Sequence, residues 1–509
     1  MAQHAAKRLK VDLDLTVASS SPATSTTRHS STMATSTRTS TASTTVTATT
    51  APPAPKLASI FAPPASSKGK WCKNLGGSDK GKMGCGHYVW GQPKGSAKVA
   101  AFDLDGVVIK TPSGRVVAKD KDDWGFWATQ VSRRIRELHQ QGYAIVILTN
   151  QALNESSKIN FKAKLPLICS ALDVPLHTFA AWGRDEYRKP APGMWKAYVE
   201  HFNDGIAIGE RAFRLRSSKS EFDFPSSADY TESLFVGDAA GRPGDHNDSD
   251  RKLAINCGLR FFTPEEFFLG APVNHNWSLL GWDPSTYDHN APLYSPASSP
   301  LLPRRLSEFD QEQPPEVIVF VGYPGSGKTS FFKKHFEPKG YVHVNQDTLK
   351  TRDACVRLVR KCLSSTSPRN CVVDNTSPAS STRAEYISLI RSEFPDVKIR
   401  CFHFTAGVEL AMHNSVYRAL YDAVDKGNGK KREVLPEIAF NSFRSRFEMP
   451  TLAEGFDELK RINFKFDGTP AQLAKWQQWL ADIYPYSARG ITKPKTTTAA
   501  GNSKKRSRK

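Results

Sequence analysis

Residues 317–329 read Val317-Ile318-Val319-Phe320-Val321-Gly322-Tyr323-Pro324-Gly325-Ser326-Gly327-Lys328-Thr329. A short run of apolar, largely β-branched residues bounded by glycine predicts a strand buried on both faces. It runs straight into the spacing G-x-x-x-x-G-K-[ST], which is specific when a strand precedes it and a helix follows. Gly322, Gly325 and Gly327 let backbone N–H groups, with that of Ser326 among them, close around phosphate oxygens. Lys328 then reaches the β/γ-phosphates and Thr329 contacts Mg²⁺, so the ligand expected here is ATP with Mg²⁺.

Working outward on the C-terminal side, Val342-His343-Val344-Asn345-Gln346-Asp347 is a short strand closed by a carboxylate, and Cys371-Val372-Val373-Asp374-Asn375-Thr376 is another. Asp347 can accept the proton of an attacking hydroxyl. Asp374 suits a nucleotide- or acceptor-binding role, although strand-end aspartates also serve as helix caps. Residues 413–418 predict a helix on which Arg418 could meet transferring phosphoryl charge, followed by a Gly/Lys-rich stretch, Lys426 to Arg432, suited to a mobile lid.

On the N-terminal side lies a second set of strand-end groups. Val99-Ala100-Ala101-Phe102 predicts a strand, and Asp103-Leu104-Asp105-Gly106 follows it. One carboxylate can take a phosphoryl group as nucleophile, while the other protonates the leaving oxygen and then activates water. Apolar positions at helical spacing (Trp127, Val131, Ile135, Leu138) precede a buried strand over 143–148, which ends in Thr149-Asn150-Gln151. Lys189, in Arg188-Lys189-Pro190, supplies a cation for phosphoryl charge. A strand over 234–236 ends in Gly237-Asp238, with Asp245, Asp248 and Asp250 beyond it, and Asp238 can complete a Mg²⁺ site of hard oxygen ligands. Strand, helix, strand in this order predicts a parallel sheet whose strand ends converge on one site.

That order resembles the haloacid dehalogenase superfamily of phosphohydrolases. The resemblance implies Asp103 as nucleophile, Asp105 as acid/base, Thr149 and Lys189 as stabilisers of the phosphoryl group, and Asp103, Asp105 and Asp238 around Mg²⁺. Val107 stands where that superfamily often has Thr, which implies altered tuning rather than lost chemistry. The two motif sets together resemble the polynucleotide kinase 3′-phosphatases over about residues 96–270 and 316–470. Further matches are Gly193-Met194-Trp195, Thr263-Pro264-Glu265-Glu266-Phe267-Phe268 and Pro450-Thr451-Leu452-Ala453-Glu454-Gly455-Phe456. The resemblance implies removal of 3′-phosphates and phosphorylation of 5′-hydroxyls at DNA strand breaks, with repair scaffolds or a ligase as partners. Animal members carry an N-terminal forkhead-associated domain, and residues 1–95 lack the run of regular strands that such a β-sandwich needs.

Composition places these blocks in a longer chain. Of the formal charge of +20 over 509 residues, residues 1–98 carry +10 and residues 487–509 carry +8, so the middle is nearly neutral. Basic arms of this kind hold or find a polyanion such as nucleic acid. The expected fold class is α/β with two parallel-sheet domains. The expected boundaries are 1–95 a disordered basic Ser/Thr/Pro-rich segment, 96–270 the phosphatase, 271–315 a linker crossing the surface, 316–486 the kinase, and 487–509 a basic disordered tail. Cys72, Cys85 and His87 lack a second ligand pair and read as ordinary residues of a basic lead-in rather than a zinc site. Eight scattered cysteines fit a reducing compartment. No apolar run is long enough to span a membrane. Lys7-Arg8-Leu9-Lys10 and the Lys504–Lys509 cluster predict a nuclear protein, which is expected to be a monomer, while the acid-poor N-terminus also has the texture of a mitochondrial transit peptide. Two other readings fit the motifs: a metabolite kinase fused to a metabolite phosphatase, and a DNA-end-binding scaffold.

Overall fold

The structure is a computed structural model that describes residues 68–76, 84–115, 118–151, 153–208, 232–302, 315–422 and 432–480. The basic clusters at 7–10 and 504–509, most of the expected lid (426–431) and part of the expected linker (303–314) lie outside the described residues. Among the described residues no helix is long and apolar enough to cross a membrane.

Two sheets carry the fold. The first is built from β1 (Gly69–Trp71), β2 (Cys85–Trp90), β3 (Val99–Phe102), β6 (Ala144–Asn150), β7 (Leu176–Ala181), β8 (Leu234–Val236) and β9 (Arg260–Phe262), in the spatial order β1-β2-β7-β6-β3-β8-β9. A two-stranded ribbon, β4 (Ile109–Lys110) with β5 (Gly125–Phe126), follows β3. Helices α1 (Val131–Gln140), α2 (Glu155–Leu172), α3 (Gly193–His201), α4 (Ser249–Cys257) and α5 (Pro264–Leu269) connect the strands. From β7 to β9 the strands are parallel, and β3 lies between β6 and β8. All four residues of β3 are buried, as expected of a strand with helices on both faces. Val131, Ile135 and Leu138 form the buried stripe of α1. The Thr263–Glu266 segment is a capping box with Pro264 in the first turn, which starts α5 directly after β9.

The second sheet runs β10-β15-β14-β11-β13-β12. Its strands are β10 (Tyr294–Ser295), β11 (Glu316–Val321), β12 (Val342–Val344), β13 (Cys371–Val373), β14 (Lys398–Phe404) and β15 (Glu458–Ile462). Its helices are α6 (Lys328–His335), α7 (Gln346–Leu349), α8 (Arg352–Leu363), α9 (Ser380–Glu393), α10 (Val408–Tyr421), α11 (Glu437–Arg446) and α12 (Pro470–Trp476). All pairings except β10–β15 are parallel, and β11 is flanked by β13 and β14. In both sheets, therefore, the strand that precedes the motif is the one at which the strand order reverses, where open α/β sheets form a ligand crevice.

Two expected boundaries are corrected. Residues 69–71 and 85–90 do not belong to a disordered lead-in: β2 pairs along its whole length with β7, from Cys85 opposite Ala181 to Trp90 opposite Leu176, and β1 extends the sheet by one further strand. Their partner lies about ninety residues downstream, and pairing with it satisfies backbone groups that a local reading leaves unpaired. Cys85 is buried, and the His87 Nε2 lies 3.0 Å from Nδ1 of His177, its ring stacked on Phe179. Cys72 contributes its backbone N–H to the His87 carbonyl at 2.8 Å. The Pro/Ser-rich segment after 271 is likewise not a simple surface crossing. β10 pairs antiparallel with β15. The carbonyls of Pro300 and Leu301 accept from the buried Arg400 guanidinium, and the carbonyl and hydroxyl of Ser299 accept from the buried Lys460 ammonium. Proline and serine carbonyls here solvate two cations that the sheet has removed from water.

Candidate active sites

The first site gathers at the carboxyl ends of β3, β6 and β8. The backbone N–H of Asp103 still pairs with the carbonyl of Val236, so β3 delivers its side chain just past the sheet. The ammonium of Lys189, only 1% exposed, lies 2.8 Å from an oxygen of Asp103 and 2.8 Å from one of Asp250. Asn150 fixes the lysine's backbone from β6: its Oδ1 accepts from the Lys189 N–H at 2.9 Å, and its Nδ2 donates to the Lys189 carbonyl at 3.1 Å. Gln151 donates to the Asp105 carboxylate at 2.5 Å and to the Thr149 hydroxyl at 3.0 Å. Lys164 of α2 lies 3.9 Å from the other oxygen of Asp105.

Asp103, Asp238 and Asp250 bring carboxylate oxygens within 4.8 Å of one another. Three carboxylates against one lysine leave excess negative charge, and the titration behaviour follows. Burial pushes Asp103 up to about 6, with the Lys189 charge opposing and Asp250 adding to the rise. Burial, then the charges of Asp103 and Asp250, push Asp238 up to about 8. One buried oxygen of Asp238 has no hydrogen-bond partner. A hard divalent cation is what such a cluster fits: it satisfies the lone oxygen and offsets the mutual repulsion. Gly106, at φ +81°, makes the close approach feasible, because a Cβ there would stand 2.2 Å from an Asp238 oxygen.

Asp105, expected among the metal ligands, lies outside this cluster. Its side chain is 48% exposed and engaged by Gln151 and Lys164, and the surrounding protein raises its proton affinity, with the Lys164 charge opposing. A carboxyl with its proton affinity raised in this way suits a proton donor. Asp250 was the residue the motif pattern did not single out. It is buried, shares Lys189 with Asp103, and accepts the Ala239 N–H at 3.1 Å. Its signal in the sequence was diluted among Asp245 and Asp248. Asp245 instead pairs with Arg242, and Asp248 with the buried Lys252.

The second site is the β11–α6 loop. Gly322, Gly325 and Gly327 all have positive φ. A Cβ on Gly325 would lie 2.4 Å from the Ala411 carbonyl of α10, so the loop can pack there only as glycine. The Lys328 ammonium donates to the carbonyls of Gly322 at 2.9 Å and Tyr323 at 2.7 Å, and lies 3.4 Å from the Ser326 hydroxyl. Burial lowers its pKa to about 8, opposed by the charges of Asp374 and Asp347. The Thr329 hydroxyl donates to Oδ2 of Asp374 at 2.6 Å, while the Asp374 Oδ1 is buried with no partner among the described residues. That orphaned oxygen beside the threonine fits a Mg²⁺ accompanying a nucleotide.

Asp347 is exposed in the first turn of α7. Asn345 holds that turn: its Oδ1 accepts from the N–H of Asp347 at 2.9 Å, while its Nδ2 donates to the Asp374 carbonyl at 2.7 Å. The backbones of the two strand-end aspartates are thus tied to each other through one asparagine. Arg418 is exposed on α10, one turn beyond Asn414, whose Nδ2 donates to the Gly325 carbonyl at 3.0 Å. The segment after Pro450 also has a structural reason. Glu454 caps its own short helix with Thr451 and pairs with the buried Arg383, which donates to the carbonyls of Ser377 and Pro378 beyond Asp374.

Family comparison agrees with this two-site construction. A polynucleotide kinase 3 phosphatase family model matches residues 98–268, and an AAA domain model matches residues 317–450. The bifunctional polynucleotide phosphatase/kinase of Schizosaccharomyces pombe is 37% identical over 379 residues, covering 74% of this chain and 82% of that protein. The chain belongs to the bifunctional polynucleotide phosphatase/kinase family. A polynucleotide 3′-phosphatase of Arabidopsis thaliana is 37% identical over 191 residues, covering 34% of this chain and 24% of that protein. As a phosphatase/kinase, the chain has each family match take in one of the two strand-order reversals near its start, with Asp103 inside the first and Lys328 inside the second.

Proposed function

We propose that this phosphatase/kinase prepares DNA strand breaks for ligation, removing a 3′-phosphate at the first site and phosphorylating a 5′-hydroxyl at the second. The observation that carries the reading is the buried Lys189 held between Asp103 and Asp250 in the same chain as a complete phosphate-binding loop.

At the first site an oxygen of Asp103 attacks phosphorus and the bond from phosphorus to the 3′-oxygen breaks. Asp105 delivers its proton to that oxygen, then accepts a proton from water, whose oxygen displaces the phosphoryl group from Asp103 as inorganic phosphate. Lys189 and Thr149 hold the phosphoryl oxygens. Asp103, Asp238 and Asp250 would hold Mg²⁺, which supplies charge neutralisation. At the second site Asp347 accepts the 5′-hydroxyl proton as that oxygen bonds to the γ-phosphorus of ATP and ADP departs. Lys328 and the loop N–H groups of Gly325, Ser326 and Gly327 hold the phosphates, Thr329 and Asp374 would hold Mg²⁺, and Arg418 faces the transferring charge.

The domain limits that go with this reading are 68–270 for the phosphatase and about 282–480 for the kinase, with the basic termini retaining DNA and directing the protein to the nucleus. Repair scaffolds or a ligase would take over the processed end. The deciding assay is a nicked duplex bearing 3′-phosphate and 5′-hydroxyl termini, incubated with the protein, Mg²⁺ and ATP. Both ends should become ligatable, the 3′ end without ATP. Turnover confined to free nucleosides or sugar phosphates would reject the DNA reading.

A further inference from the structure

His343 lies on β12, in register with Val372 of β13, and neither motif includes it. Its ring is stacked on Phe332 of α6 at 4.2 Å with an interplanar angle of 14°, and its Nε2 lies 2.9 Å from Oδ2 of Asp374. The side chain remains 29% exposed, whereas Asp374 is 2% exposed, so the imidazole spans from the cleft to a buried carboxylate.

The donors on Asp374 are distributed unevenly. Oδ2 accepts from Thr329 at 2.6 Å and from His343, with Asn345 at 3.5 Å, while Oδ1 is buried and has no hydrogen-bond donor among the described residues. A carboxylate only accepts, so the His343 bond requires the proton on Nε2. The stack on Phe332 fixes the ring plane, and Phe332 belongs to the helix that begins with Lys328, so the imidazole and the phosphate-binding loop share one rigid support.

We infer that His343 is a positioning residue of the kinase site: it holds one oxygen of Asp374 and so leaves the other to the Mg²⁺ that accompanies the nucleotide. The inference rests on the kinase reading of the loop. Groups that orient a metal-holding carboxylate are worth roughly 10–100-fold in metal affinity.

The test uses the full chain. ADP binding is measured by calorimetry across a Mg²⁺ titration and in its absence, alongside the KM for a 5′-hydroxyl oligonucleotide. His343→Phe keeps the stack and removes the donor. It should weaken Mg²⁺-dependent ADP binding roughly tenfold, leaving metal-free ADP binding, the oligonucleotide KM and 3′-phosphate removal as in the wild type. His343→Gln places an amide nitrogen near the position of Nε2 and should recover most of the loss, whereas His343→Asn, whose nitrogen falls nearer Nδ1, should not. A wild-type Mg²⁺ dependence in His343→Phe would overturn the inference. If that variant fails to fold, the amide pair decides, and equal Mg²⁺ dependence for His343→Gln and His343→Asn is the overturning result. Should the wild type lack 5′-phosphorylation while His343→Phe still shows the shift, the kinase reading fails and the positioning role stands.

Discussion

On the proposed reading Asp103 carries one reaction and Lys328 the other, and neither residue is shared. Asp103→Asn keeps the size of the side chain but cannot form an acyl phosphate, so 3′-phosphate release should fall to background while 5′-phosphorylation persists. Lys328→Ala should reverse the pattern, because the cation that holds the β/γ-phosphates is lost and the first sheet is untouched. Both rates on one labelled oligonucleotide check this, and loss of both in folded Asp103→Asn protein would refute separate sites. The crowded carboxylates give a second expectation. Asp238 is pushed up to about 8 and Asp103 to about 6, well above the ~3.9 of a free aspartate. A raised carboxyl pKa favours the folded state most at low pH. That contribution is fully present below the unfolded value and is lost as pH rises through the folded value. The metal-free protein should therefore lose stability between about pH 4 and pH 8. Mg²⁺ should raise Tm more at pH 8 than at pH 5, and thermal unfolding with and without Mg²⁺ at both values checks the sign.

Among elements, β2 carries the sharpest consequence. Removing residues 1–67 leaves both strands β1 and β2 in place. Removing residues 1–95 takes away β2, opens the whole edge of β7, and exposes a pairing face that buries Cys85, Tyr88 and Trp90. A chain starting at residue 68 should keep 3′-phosphatase activity, and one starting at residue 96 should lose it and aggregate through the bared edge. Size-exclusion chromatography with a phosphatase assay separates the two. Helix α1 was the easier element to read, since its buried stripe is a local pattern. β2 was illegible because its six residues follow a Gly/Lys-rich stretch, and its partner β7 is set by tertiary pairing alone.

At the scale of the whole molecule, one asparagine ties the two halves together, beside a Lys252 ammonium that lies over the Trp479 ring at 5.0 Å. Asn256 of α4 donates to the Pro190 carbonyl at 2.8 Å and to the Trp479 carbonyl at 2.8 Å, and accepts from the Trp479 N–H at 2.9 Å. Pro190 follows the active-site Lys189. Farther along, Trp476 donates its indole N–H to Asn414, which in turn donates to the Gly325 carbonyl of the phosphate-binding loop. Asn256→Ala leaves backbone groups on both sides unmade, a cost of about 1–3 kcal/mol. The expected result is a lower Tm and slower 3′-phosphate release, with 5′-phosphorylation less affected because the Trp476–Asn414 link remains. Differential scanning calorimetry and both rate assays check it, and an unchanged phosphatase rate would show that Pro190 needs no such tie. The sequence by itself determined the two motif-bearing strands and the parallel α/β class, and it singled out Asp103, Asp105, Lys189, Asp238, Lys328 and Asp374 as candidates, because those signals are runs of neighbouring residues with fixed spacing. Only the tertiary structure decided that Asp250 rather than Asp105 joins the carboxylate cluster, that β2 and β10 are sheet strands, and that His343 reaches Asp374. Each of these depends on groups far apart in the chain being brought within hydrogen-bonding distance by burial.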